Sequence, residues 1–172
     1  MDDIVVTGGE PTMQSIDSFL EDNDLRRILT NHHCTLETNG TAAVKVPWAK
    51  LLSISPKVTA DGTDGRMMAM WASETAQLIT ENPGSQVQLK FVLGNVGDID
   101  IITSFLQDVY NQMSYASNSE ILVMLMPVSV NPSYFDQLSR DIVDNIVLQN
   151  SGIDFRLCDR LHYRLWKGEQ GK

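Results

Sequence analysis

Residues 87–127 open with Val87-Gln88-Leu89-Lys90-Phe91-Val92-Leu93-Gly94 and close with Ile121-Leu122-Val123-Met124-Leu125-Met126-Pro127. Each end is a short, mostly apolar run of strand length, rich in residues that suit a pleated surface. Between them Ile99, Ile102, Leu106, Val109 and Met113 recur at spacings of three and four, so they fall on one helix face. Strand, helix, strand is a βα unit, and it implies two parallel strands joined by a right-handed crossover.

The same alternation extends in both directions. Ile4–Thr7, Thr35–Thr38 and Leu51–Ser55 read as strands before this unit, and Asp154–Cys158 as one after it. Phe135, Leu138, Ile142 and Ile146 mark a second helix, entered through Asn131-Pro132, where proline's missing N–H costs little. Ser15–Leu29 and Met70–Thr80 are weaker helical patterns. Pro83-Gly84 and Ser151-Gly152 punctuate helix ends. The expectation is an α/β chain with a mostly parallel sheet and helices outside. Several strands are nearly continuous apolar runs, which suits strands covered on both faces.

At 172 residues the chain suffices for one domain with its own core, and nothing in it resembles a linker or repeat. No apolar run approaches the roughly 18 residues of a bilayer span. Met1-Asp2-Asp3 is acidic and lacks the basic start of a signal peptide, so a cytoplasmic location is expected. A net charge of −9 opposes a broad grip on nucleic acid. The basic stretch Arg156–Lys172 reads as a solvated edge. Two distant cysteines, Cys34 and Cys158, imply neither a disulfide framework nor a Cys-x-x-Cys pair. Cys34 follows His32 and His33, but neighbouring strand residues point to opposite faces, so Cys34 reads as a small core residue. Met67, Met68, Met70 and Trp71 read as packing.

In parallel α/β sheets ligands bind beyond the C-terminal ends of the strands. Thr7-Gly8-Gly9-Glu10-Pro11, Glu37-Thr38-Asn39-Gly40 and Ser55-Pro56-Lys57 follow the first three strands. Two glycines let backbone groups approach a ligand closely, and Glu10 can accept from an ammonium group. Glu37 and Asn39, two apart, can face the same side and read the donor and acceptor edge of a heterocycle. Ser55 suits a ribose or carboxylate, and Lys57 a carboxylate. Ordinary turns account for the glycines, for Asn39 and for Lys57 taken alone, but they leave Glu37 without a role. His162, taken alone, reads as structural.

Taken in order, these strings, with Leu89-Lys90-Phe91-Val92, Met126-Pro127 and Leu161-His162, resemble the 7-carboxy-7-deazaguanine synthases of the radical S-adenosylmethionine superfamily. The likeness runs from about Ile4 to Trp166. It implies a partial (β/α)6 barrel and a carbon–nitrogen lyase that contracts 6-carboxy-tetrahydropterin to a 7-deazapurine acid in queuosine-type biosynthesis. It further implies S-adenosylmethionine, a 4Fe-4S cluster and Mg2+ as cofactors, and a homodimer without membrane or direct nucleic-acid partners. By match of motif, Gly8, Gly9, Glu10, Ser55 and Lys57 would contact S-adenosylmethionine. Thr7, Glu37, Asn39 and His162 would contact the pterin.

The chain departs from the family in three respects, one being that the segment expected before Thr7 would also carry the barrel's first strand and the magnesium-binding region. The family's cluster-binding cysteines lie before Gly-Gly-Glu-Pro, and six residues precede Thr7 here. Arg160 stands where the family often has Gln. The resemblance therefore implies a single domain, 1–172, incomplete at its N-terminus and unable alone to cleave S-adenosylmethionine. Its alternatives are a cluster-free module that binds pterin and S-adenosylmethionine, or one subunit of a split enzyme.

Overall fold

The computed structural model describes residues 3–59, 64–113, 120–128, 131–145, 150 and 152–159. The elements run β1 (Asp3–Val6), α1 (Asn23–Asn31), β2 (His33–Thr38), β3 (Leu51–Ile54), α2 (Gly65–Glu81), β4 (Gln86–Leu93), α3 (Asp98–Gln112), β5 (Ile121–Pro127), α4 (Pro132–Val143) and β6 (Phe155–Leu157). All six expected strands are present, and they form one sheet in chain order, every neighbouring pair parallel. Among the described strands the order never reverses, so they show no switch point of the doubly wound kind. Among the described residues it is open, with β1 and β6 at its edges.

The weaker helical patterns resolve differently from their sequence reading. Ser15–Leu29 splits into a 3-10 turn, Ile16–Leu20, and α1. The break is Asp22, whose carboxylate accepts from the N–H groups of Asp24 and Leu25 at 2.9 Å each and starts a new helix. Helix α2 begins at Gly65, earlier than the apolar pattern suggests, because Asp64 caps it by accepting from the N–H of Met67 at 2.8 Å. Met68 and Trp71 pack against the core, but Met67 and Met70 are exposed. Helix α4 is capped by Asn131, and Ile146 lies outside the described residues.

No helix crosses from β2 to β3. Residues 39–50 run as an irregular segment that buries Val46, Trp48 and Ala49. Asn82, at the end of α2, holds it. Its side-chain oxygen accepts from the Val46 N–H at 2.7 Å, and its amide donates to the Val44 carbonyl at 2.8 Å. The segment thus covers the sheet where a crossover helix would, with the Val46 N–H and the Val44 carbonyl satisfied by the Asn82 side chain.

Right-handed crossovers that always step the same way place every helix on one side of the sheet. Burial follows that rule. Cys34, Leu36, Leu52, Ile54, Val87, Leu89, Phe91, Val123 and Leu125 face the helices and join Leu78, Ile102, Phe105, Leu138 and Ile142 in one core. Phe91 meets Phe105 edge to face at 5.9 Å, an interaction worth about 1 kcal/mol that ties β4 to α3.

The expectation that the strands are covered on both faces is therefore corrected. The second face is partly exposed and carries Thr35 and Glu37 on β2, Ser53 on β3, and Gln88 and Lys90 on β4. Towards β5 it turns apolar, with Leu122, Met124 and Met126 half-buried. Register aligns Glu37 with Ser53, and Ser53 with Gln88, so the polar groups form a row across three strands.

A candidate ligand cleft at the strand ends

The chain leaves β1 through Thr7-Gly8-Gly9, where Gly8 and Gly9 adopt φ of +93° and +55°. Glycine takes these values freely, and side chains there carry strain. A Cβ on Gly8 would meet nothing, so it is the backbone angle that favours glycine at this position. The turn delivers Glu10 to the end of β2.

Glu10 fastens two loops together. One carboxylate oxygen accepts from the Thr12 N–H at 3.2 Å, the Thr12 hydroxyl at 2.8 Å and the Thr38 hydroxyl at 2.5 Å. The other accepts from the Asn39 N–H at 2.7 Å. Burial pushes this carboxyl up, but the hydrogen bonds from Thr38, Asn39 and Thr12 outweigh it and hold Glu10 below its ordinary range. An acceptor engaged this fully shapes the loop whatever else it touches.

Past Thr38, Asn39 folds its side-chain oxygen back onto the Thr41 N–H at 2.9 Å and the Thr41 hydroxyl at 2.6 Å, closing an Asx turn. Gly40 follows at φ +76°. A Cβ there would lie 2.7 Å from both Ile54 and Thr75, so glycine is required by angle and by space. Thr75 donates to the Gly40 carbonyl at 3.2 Å, seating the turn on α2. At the end of β3, the Ser55 N–H donates to the Thr38 carbonyl at 2.8 Å, and Lys57 reaches the Ser55 hydroxyl at 3.5 Å.

These loops bound a cleft of about 320 Å³ beyond the C-terminal ends of β1–β3. Of the residues singled out in the sequence, Thr7, Gly9, Glu10, Glu37, Asn39, Ser55 and Lys57 line it. Gly8 is exposed beside Gly9 and is not part of the lining. His162 and Arg160 lie outside the described residues.

Thr38, Ser53 and Lys90 also line the cleft and were not among the sequence candidates. Lys90 donates to Glu37 Oε1 at 3.2 Å, and the Thr7 hydroxyl donates to Glu37 Oε2 at 3.3 Å. Gln88 donates to the Ser53 hydroxyl at 2.8 Å. The signal for Lys90 was available: a lysine in the middle of an apolar strand, in phase with Gln88 and out of phase with Leu89 and Phe91.

Two glutamates and two lysines leave the lining nearly balanced in charge. It offers donors and acceptors together, which suits a polar heterocycle or a zwitterion better than a bare anion. A neighbouring, more apolar hollow of about 310 Å³ touches Lys57, Val92 and Val128. A larger one of about 810 Å³ lies at the opposite rim, by Gly84 and Glu120, away from the ends where parallel sheets bind ligands.

Among the described residues no group of three His, Cys, Asp or Glu side chains is placed to hold a metal ion. Cys34 is buried with its thiol on the Leu29 carbonyl at 3.3 Å, and Cys158 stands just past the edge strand β6. Nor is any described helix long and apolar enough to cross a membrane. No protein-family model matches the chain, and no curated protein matches it.

Proposed function

We propose that the cleft binds S-adenosylmethionine and a carboxylated pterin, and that the chain is the substrate-holding part of a 7-carboxy-7-deazaguanine synthase-like lyase with a partial (β/α)6 barrel fold. One observation carries the reading. Three strings far apart in the sequence, Thr7–Glu10, Glu37–Asn39 and Ser55–Lys57, converge on one cleft at the strand ends. Sequential strand order and one-sided helices are also what a segment of such a barrel requires.

In this reading Glu37 accepts from the adjacent N–H and NH2 groups of the aminopyrimidinone ring. The Asn39 amide nitrogen donates to a ring acceptor, its oxygen being used in the turn. Gly8 and Gly9 bring backbone groups to the amino-acid end of S-adenosylmethionine, with Ser55 and Lys57 at its polar atoms. Glu10 holds both loops in register for this.

Cofactor fit divides. The cleft suits S-adenosylmethionine in chemistry. The described residues do not suit a 4Fe-4S cluster, because they bring no set of cysteine ligands together. No radical step is therefore assigned to them. That observation keeps the second reading in view: a binding module, or one subunit of a split enzyme, whose cluster comes from elsewhere.

The test is a fluorescence titration with 6-carboxypterin and a calorimetric titration with S-adenosylmethionine. Saturable binding of both is expected, weakened for the pterin by Glu37→Gln and Asn39→Ala. Binding that ignores both substitutions, or no pterin binding at all, overturns the proposal.

A further inference from the structure

The open sheet face carries an ammonium in an unusual place. Lys90 sits in the middle of β4, an interior strand, with its side chain only 21% exposed, against 43% for Glu37. A surface-seeking lysine would extend to water. This one reaches across β3 to Glu37, which belongs to β2. Thr7, in the loop that follows β1, donates to the other oxygen of the same carboxylate. Glu37 is therefore engaged at both oxygens, by a lysine on β4 and by a hydroxyl from the loop after β1, before any ligand arrives.

We infer that Lys90 is a positioning residue. Acting through Glu37, it sets the carboxylate to meet two adjacent donors on one ligand edge, as in a 2-amino-4-oxopyrimidine ring. The inference rests on the proposed pterin binding and adds to it the origin of the selectivity. A carboxylate free to rotate accepts one hydrogen bond from many ligands. A clamped one rewards paired donors, because bidentate geometry is already met. Lys90 itself need not touch the ligand.

The experiment compares 6-carboxypterin with 6-carboxylumazine, which keeps the bicycle and the carboxylate but has oxygen in place of the 2-amino group. The wild-type chain should favour the pterin by about tenfold, the scale of one charge-assisted hydrogen bond. Lys90→Met should bring the ratio towards one, Lys90→Arg should restore most of it, and Thr7→Val should reduce it in part. In a Glu37→Gln background, adding Lys90→Met should change the ratio no further. Thermal midpoints close to wild type exclude misfolding as the cause.

A Lys90→Met chain that keeps the wild-type ratio overturns the inference. So does one that weakens both ligands equally, which would make Lys90 a direct anchor for their shared carboxylate. Wild-type binding of neither pteridine brings down the functional reading, and the inference with it. Wild-type binding of both with equal affinity brings down the inference alone.

Discussion

Lys90 Nζ lies 3.2 Å from Glu37 Oε1, although β3 runs between the strands that carry them. The pair is half open to water, so its contribution to stability is small. Glu37→Gln should change the free energy of unfolding by less than about 1 kcal/mol. Urea denaturation checks this, and a much larger loss would make the pair a structural strut.

Gly40 stands under a double constraint. Gly40→Ala forces a side chain into the left-handed region and drives its Cβ into Ile54 and Thr75. Strain and overpacking together should cost roughly 2–5 kcal/mol. Thermal unfolding should show a clear drop, while Gly8→Ala, with open space around it, should cost only the backbone strain.

Acid should loosen the loop that Glu10 fastens. Its folded carboxyl titrates below the ordinary value of 4.5, so the native state binds fewer protons than the unfolded chain in that window. The stabilisation is complete above that value and is lost as pH falls through the lowered folded value. Glu10→Gln should cost about 1–2 kcal/mol at neutral pH, allowing for partial exposure, and should flatten the acid limb of stability against pH. An acid limb identical to wild type would refute this.

Thiol labelling should separate the two cysteines. Burial raises the Cys34 thiol above its usual range, and the residue is wholly enclosed. Cys158 is partly open. An alkylating reagent should modify Cys158 in the folded chain and reach Cys34 only on unfolding, as peptide mass spectrometry would register.

Strand positions were legible because each run is short, apolar and bounded by turn residues, as at Leu93-Gly94 or Ile54-Ser55-Pro56. The strong helices were legible for the same reason, Ile99 to Val109 keeping one face throughout. Helix starts set by a polar cap were harder. Asp22 and Asp64 sit outside the apolar pattern, and only their hydrogen bonds mark the boundary.

The open face was misread for a specific reason. Val87–Leu93 looks apolar when read in bulk, but Gln88 and Lys90 alternate with Leu89 and Phe91. Period-two reading separates an inner and an outer face. The loop residues of the cleft announced themselves by glycine, proline and amide chemistry. Ser53 and Lys90 were harder to assign, because side chains on a strand's open face join a site only through register with other strands.

Strand order that copies chain order also governs how the molecule is made. Each strand after the first finds its parallel neighbour already synthesised, so no early strand waits for a late one. Every described residue lining the cleft lies between Thr7 and Lys90. The described parts of the cleft are thus on hand once β4 leaves the ribosome, and β5 and β6 extend a sheet whose polar row is already in place.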